Sequence, residues 1–462
     1  MKKLLLVICC LYSSHVWAQN YDHEKIELLS RWDDTTITVL SQVGSRYSGI
    51  WGYASNGREY ALLGAENGLH IIDITDPYLP VRIARIYGRR NGCTWREYKV
   101  YQHYVYMVSD DPVVNSLQIV DLSFLPDSAV VVYDDATIFK QSHTIFIDGD
   151  KLYSGATTFG NGQKSAMSVY SLDNPALPVL LRKLEQDYGS ITGNVHDMFV
   201  QNDTIYASCG YDGLHVFNLD TANHFQLIGS LTQYSFQGYN HSSCLAADGN
   251  HLVMLDEVPE GLPVKSVRIN SPNDLEVIDT LSSGSLATPH NPFLCDNNHV
   301  AIAYYEDGLQ IFDFTNPASP IRTGYFDTHY QTATDSAVGS FAGAWGAYTQ
   351  LPSKHIIVAD MQNGLFVLNA DSALGITRIN TGAVEVKADA VKVYPNPVAN
   401  SFRIDAGSGK VESATLYNEV GQLIRHFKNA NTELSLRNLP SGFYLLAIKA
   451  GGITSSVKLI KE

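Results

Sequence analysis

The 462 residues contain no Cys-x-x-Cys pair, no Gly-x-Ser-x-Gly, no P-loop, no His-Glu-x-x-His and no dinucleotide fingerprint. Each missing motif removes a route to chemistry: a zinc ribbon, a hydrolase elbow, nucleotide hydrolysis, a zincin and hydride transfer. Cationic residues are also scarce, with 32 Lys and Arg against 47 Asp and Glu, for a formal net charge of -15 and a pI near 5.4. Phosphate backbones demand clustered Lys and Arg, so nucleic acid is excluded as a partner. Long apolar runs are missing too. The longest, Leu4 to Tyr12, falls short of the roughly 20 residues of a membrane span. It follows Lys2-Lys3 and precedes Val16-Trp17-Ala18, the pattern of a secretory signal peptide over residues 1–18. Cys9 and Cys10 follow Ile8 where a lipoprotein site would want a small residue, so the leader reads as cleaved and not lipidated. Four cysteines then remain (Cys93, Cys209, Cys244, Cys295) in a chain long enough to bury a large core without staples. They read as buried small hydrophobes, with disulfides permitted and their pairing open.

Sustained 3.6-residue apolar periodicity is absent from Gln19 to about Ile379. In its place are short runs of Val, Ile, Tyr and Phe between Gly, Asn, Asp and Pro turns, which is an all-β pattern. The stretch Ala303 to Pro320 shows its unit: an apolar strand ends in Glu306-Asp307, Gly308-Leu309 opens a second strand, and Asp313 starts a turn closed by Pro317 and Pro320. Copies recur around Gly68-Leu69, Leu117, Val169, Gly213-Leu214 and Gly364-Leu365, about 45 to 55 residues apart, a propeller-like period. The copy around Asn270 to Asp279 lacks the Gly-Leu turn. Upstream of each copy stands a Trp or His mark: Trp51, Trp95, His143, His196, His241, His290 and Trp345. Seven marks predict seven blades over residues 19–370. The last blade shows three strands (346–351, 355–360, 364–368), so the strand-like Ile26 to Trp32 is expected to complete it and close the ring.

In a propeller the start of the inner strand and the end of the second strand share a face. The marks are therefore expected to converge at the channel mouth with Glu66, Asp110, Asp111, Asp256, Glu257, Glu306, Asp307 and Asp360. Four imidazoles beside carboxylates suit a polar ligand or a divalent metal, for which His196, His241 and His290 are the candidate ligands. No other cofactor is implied. The competing expectation is that the marks plug the channel, because a ring of seven positions is too wide for one ion to engage every member. Asp197 and Asn291 should face away from their neighbouring histidines and orient loops. His70, His103, His215, His224, His251, His299, His329 and His355 read as ordinary surface or core residues. Ser242 beside His241 is too common a pairing to indicate a nucleophile.

The segments GLHIIDITDPYLPV (68–81), WREYKVYQHYVYMVSD (95–110), HTIFIDGDKLYSG (143–155), HDMFV (196–200), LVMLDE (252–257), PHNPF (289–293), AYYEDGLQIFDFTNP (303–317) and GAWGAY (343–348) resemble LVIVD-repeat propellers of the choice-of-anchor B group. That resemblance implies a secreted or surface-exposed protein and no established enzymatic activity. The chain departs from it at the fifth blade and at Asn218-Leu219-Asp220. Composition shifts over 371–390, read as a linker. Then VYPNP (393–397), LYNEVGQLI (416–424), LPSGFYLLAI (439–448) and SVKLIKE (456–462) are similar to the type A sorting domain of the type IX secretion system. Residues 391–462 are expected to form a small immunoglobulin-like sandwich with strands near 402–404, 414–417, 423–427, 432–436, 444–450 and 455–460. This second resemblance implies the secretion machinery as a partner, passage through the periplasm, and removal of the domain with release or surface attachment. For the propeller two functions stay open: a monomeric, non-catalytic binder of an extracellular protein, glycan or peptide, or a metal-assisted hydrolase or lyase at the His/carboxylate mouth.

Overall fold

The computed structural model describes residues 21–41, 44–111, 115–329, 341–377, 392–405, 411–418, 423–428, 433–450 and 453–462. The signal peptide and residues 378–391 lie outside them. The chain divides into two compact units with the break after Thr377.

The first unit is a seven-bladed β-propeller. Its blades are antiparallel sheets within residues 47–87, 96–135, 144–183, 197–231, 240–281, 291–326 and 344–369, each strand pairing with the next in sequence. The innermost strands (Tyr47–Ser55, Arg96–Tyr101, Thr144–Asp148, Asp197–Gln201, Asn240–Leu245, Asn291–Leu294, Ala344–Tyr348) each touch the next, and the last touches the first. Alternate side chains of every blade bury against its neighbours. Leu62, Leu63, Ile71 and Ile72, for instance, are fully buried in two different inter-blade clusters.

The repeated sequence features have local causes. The aspartate after the third strand caps the following turn: Asp73 accepts from the Thr75 N–H, Asp121 from Ser123, Asp220 from Ala222 and Asp313 from Thr315. The next apolar residue returns to the preceding hairpin, as Ile74 N–H does to Glu59 O and Phe314 N–H to Asn298 O. The prolines serve the neighbouring blade, since Ser30, Tyr106 and Ser266 hydroxyls donate to the carbonyls of Pro77, Pro175 and Pro317. Gly308 of the Gly-Leu turn has φ +68°, and a Cβ there would collide with the Phe326 carbonyl.

Ring closure comes from the N-terminal side, as expected. Strand Glu27–Trp32 pairs antiparallel with Gly364–Asn369, Glu27 opposite Asn369 and Trp32 opposite Leu365. The sequence pattern did not reveal that His23–Glu24 first adds a fifth strand to blade six, opposite Phe326 and Tyr325. The N-terminal segment thus straddles two blades, with Tyr21 and Ile26 buried among Phe326 and Phe366. A second correction concerns residues 371–377, placed in the linker by composition. Ala373 is buried against the sixth and seventh blades, and a Cβ on Gly324 would meet it.

The second unit is a small sandwich. One sheet joins Lys392–Tyr394, Ser401–Asp405 and Leu434–Ser435; the other runs in the order Leu423–Lys428, Val411–Asn418, Gly442–Ala450, Ile453–Lys461. Phe402, Ala414, Leu416, Leu446, Ile448 and Leu459 fill its core. Among the described residues of the strand expected at 432–436, Leu434 and Ser435 pair as a strand, opposite Phe402 and Ser401, and the Leu436 N–H turns to the Asn400 carbonyl.

Candidate functional site

Six of the seven marks form one continuous series of touching rings around the axis. Ring centroids lie 4.1 Å apart for His143–His196, 4.3 Å for His196–His241, 4.5 Å for His241–His290 and 4.3 Å for His290–Trp345. Trp345 then stacks on Trp95 at 4.9 Å. These two belong to blades seven and two, so the series steps over blade one. The strand register explains the step. In blades four, six and seven the mark immediately precedes the residue opposite Ser208, Ala303 and Ala359 (Asp197, Asn291, Gly346), five positions before the glycine that opens the third strand. In blade one that pairing is Ile50 opposite Leu63, which puts Gly49, not Trp51, at the mark position. Gly49 packs directly on the Arg96 carbonyl and leaves room for the two tryptophans to meet. Trp51, displaced along its strand, packs on Tyr348 at 5.0 Å and carries the Lys99 ammonium 4.3 Å above its ring.

Main-chain carbonyls lock the series from blade to blade. His196 Nδ1 bonds to His241 O at 3.3 Å, Ser242 Oγ donates to His290 O at 2.7 Å, and His290 Nδ1 bonds to Trp345 O at 2.5 Å. Asn291 was expected to point away from its histidine, but its amide lies 3.0 Å from His290 Nδ1 and 3.2 Å from Trp345 O. Burial sets the protonation. His241 and His290 are pushed down to about 3 by desolvation, with neighbouring imidazoles adding to it, and His196 falls well below its usual value for the same reasons. His143 is the exception. Burial opposes its charge, yet the 2.7 Å bond to Asp110 and that carboxylate's charge, with Glu97 and Asp197 adding, raise it.

The acids after the second strands do not form one open site. Asp256 is fully buried, 2.5 Å from an equally buried Lys265 and accepting from Tyr234 OH at 2.7 Å. Asp360 is fully buried and accepts from Thr328 Oγ1 and the Gln362 and Asn363 amides, with His329 3.7 Å away. Asp111 holds the Trp95 amide, Glu66 holds the Gly92 amide, and Asp307 accepts from Ser285. Glu306 is buried. Of these acids, Asp110 and Glu257 are the ones that reach the imidazoles of the ring series; Glu257 accepts from Tyr305 OH at 2.8 Å and stands 3.7 Å from His241 Nε2 and 4.0 Å from His290 Nε2.

The cavity lies on the other side of the rings. It measures about 400 Å³ and is lined from all seven inner strands by the four histidines, Trp51 and Trp345, then Ile50, Glu97, Lys99, Phe146, Asp197, Phe199, Ser243, Asn291, Phe293, Gly346 and Tyr348 among others; none of the eight acids expected at the mouth takes part. Glu97 accepts from Trp345 Nε1 at 3.2 Å and pairs with Lys99 at 3.6 Å. Asp197, expected to orient a loop, faces this space. It accepts from Thr144 Oγ1 at 3.0 Å, and burial pushes it up to about 6. A signal for these residues was present: three positions after a mark stand Phe146, Phe199, Phe293 and Tyr348. The four cysteines among the described residues are buried, as expected, and they are free, which the sequence had left open.

Residues 58–85 and 296–328 match the LVIVD repeat, and residues 392–462 match the secretion system C-terminal sorting domain. The propeller thus carries LVIVD repeats and the chain ends in a type IX sorting domain, which marks it for export to the cell surface or the extracellular space. No helix among the described residues is long and apolar enough to cross a membrane. No curated protein sequence matches the chain. Among solved structures it is similar to the WD40 propeller domain of Doa1 (12% identity, 74% of this chain and 97% of that one, TM-score 0.49). It is also similar to the computationally designed Ika8 protein (10%, 91% and 98%, 0.42) and to PorZ, a surface component of the type IX secretion system of Porphyromonas gingivalis (12%, 90% and 66%, 0.37).

Proposed function

We propose that the exported propeller is a non-catalytic binding protein that takes part of an extracellular protein, glycan or peptide into the axial cavity. The observation that carries this reading is the cavity itself: about 400 Å³, lined from every blade, mainly apolar in surface with six Phe, Trp and Tyr side chains, and with polar groups at Glu97, Lys99 and Asp197. That is the composition of a recognition pocket, where apolar area supplies affinity and a few placed polar groups supply orientation. The sorting domain brings the propeller to where such ligands are met and plays no part in recognition.

Gly346 gives a clean test. It lines the cavity, and a Cβ built on it meets nothing nearer than 3.7 Å, so Gly346→Leu fills the space without disturbing the strand. Mature protein and variant would be applied to arrays of glycans and short peptides. Binding by the parent, lost in Gly346→Leu at an unchanged melting temperature, is expected. Equal binding by both, or none by the parent, overturns the reading.

A further inference from the structure

Two of the imidazoles, His196 and His290, turn Nδ1 toward main-chain carbonyls, and the Nε2 atoms of His241 and His290 lie beside Glu257. His196 Nδ1 is engaged by His241 O, which leaves Nε2 as its free lone pair; His290 is held in the same way by Trp345 O. His241 is 4% exposed, its Nδ1 has no hydrogen-bond partner among the described residues, and its Nε2 lies 3.7 Å from Glu257 Oε2. That gap is too long for a hydrogen bond and close to the separation two ligands keep around one small cation.

We propose that His196, His241 and Glu257 form a binding site for a divalent transition cation of the zinc class on the propeller axis. The three ligand atoms lie within 4.8 Å of one another. Ligands about 2.0–2.2 Å from a tetrahedral ion sit roughly 3.3–3.6 Å apart, so gripping it needs the widest gap to close by up to about 1.3 Å, within reach of rotations of the Glu257 carboxylate and the imidazole side chains. His290 Nε2, 4.0 Å from Glu257 Oε1, is placed to follow as a fourth ligand. The supporting shell is the kind that orients metal ligands: a main-chain carbonyl on His196 Nδ1 and the Tyr305 hydroxyl on Glu257 at 2.8 Å. Two nitrogens and a carboxylate favour zinc or cobalt over calcium or magnesium, which want oxygen ligands. A plug alone does not account for buried nitrogens aimed at a carboxylate they do not bond.

The test is a titration of the full mature chain, made without a polyhistidine tag and stripped with chelator. Zinc would be followed by competition with a chromophoric chelator, and cobalt by its visible ligand-field bands. One equivalent is expected, with bands typical of nitrogen and oxygen ligands. Glu257→Gln, which keeps the side chain's size, and His241→Gln should each abolish the bands, and Tyr305→Phe should weaken affinity about tenfold. Circular dichroism confirms folding, and if His241→Gln does not fold, Glu257→Gln decides alone. Failure of the parent to bind zinc, or an equivalent bound with unchanged bands in Glu257→Gln, overturns the site. The cavity reading is judged separately, by Gly346→Leu.

Discussion

The two ends of the propeller axis are built on opposite principles. Beyond the ring layer, carboxylates crowd together, yet nearly every one is spoken for: Asp256 by Lys265 and Tyr234, Asp360 by Thr328 and two amides, Asp111 by a main-chain N–H. On the cavity side most of the surface is apolar, and Phe, Trp and Tyr side chains from five blades lie open to a common space. Density of polar residues in the sequence is therefore a poor guide to where a ligand binds. Charges placed in a protein interior must be paired to be tolerated, so a cluster of them more often marks scaffolding than recognition.

The contrast can be broken most forcefully at Asp256. Asp256→Ala leaves the Lys265 ammonium, which has no solvent exposure, without its counter-ion. A loss of about 3–5 kcal/mol in denaturant-unfolding free energy is expected. A loss under about 1 kcal/mol would show that the acid end is not the scaffold described here.

The ring layer between the two ends should show itself in acid. His241 and His290 have folded-state values near 3, below those of the unfolded chain, so between roughly pH 6.5 and 3 the unfolded state binds protons that the folded state refuses. Stability falls as pH falls through that window. Asp197 acts in the opposite sense: its folded value, about 6, lies above its unfolded one, so it withdraws stability as pH rises from about 4 to 6. Melting temperatures across pH 4 to 7 should therefore drop toward acid in the parent, less steeply in His290→Gln and more steeply in Asp197→Asn. Identical slopes in all three would mean that these side chains are solvated.

The smallest effect is expected at the cavity. Lys99→Met removes an ammonium that pairs with Glu97 at 3.6 Å, acts on the nearby Asp197 carboxylate and rests on Trp51. Its cost to folding should stay within about 1 kcal/mol. A cost as large as that of Asp256→Ala would erase the distinction between the two ends.

Much of this architecture was legible along the chain. The Asp-capped turn, the Gly-Leu opening and the strand period are local devices, formed by residues within a few positions of one another, so they repeat wherever the blade repeats. The same holds for the sorting domain, whose motifs keep their order. Seven blades, the N-terminal closure and the burial of the cysteines followed from such patterns, whereas whether those cysteines pair was left open. Gly49 was not legible, because Trp51 two residues later satisfies the same sequence pattern; the bulge between Tyr47 and Ile50 decides which residue faces the axis. Nor could spacing show that Lys265, nine residues beyond Asp256, neutralises it, or that His23–Glu24 crosses to blade six. Local hydrogen bonding and strand alternation were thus determined by the residues in order. Which side chains meet at the axis, and which of its two ends is left open, depends on register between strands and on contacts between blades about fifty residues apart. Those contacts exist only once the ring has closed.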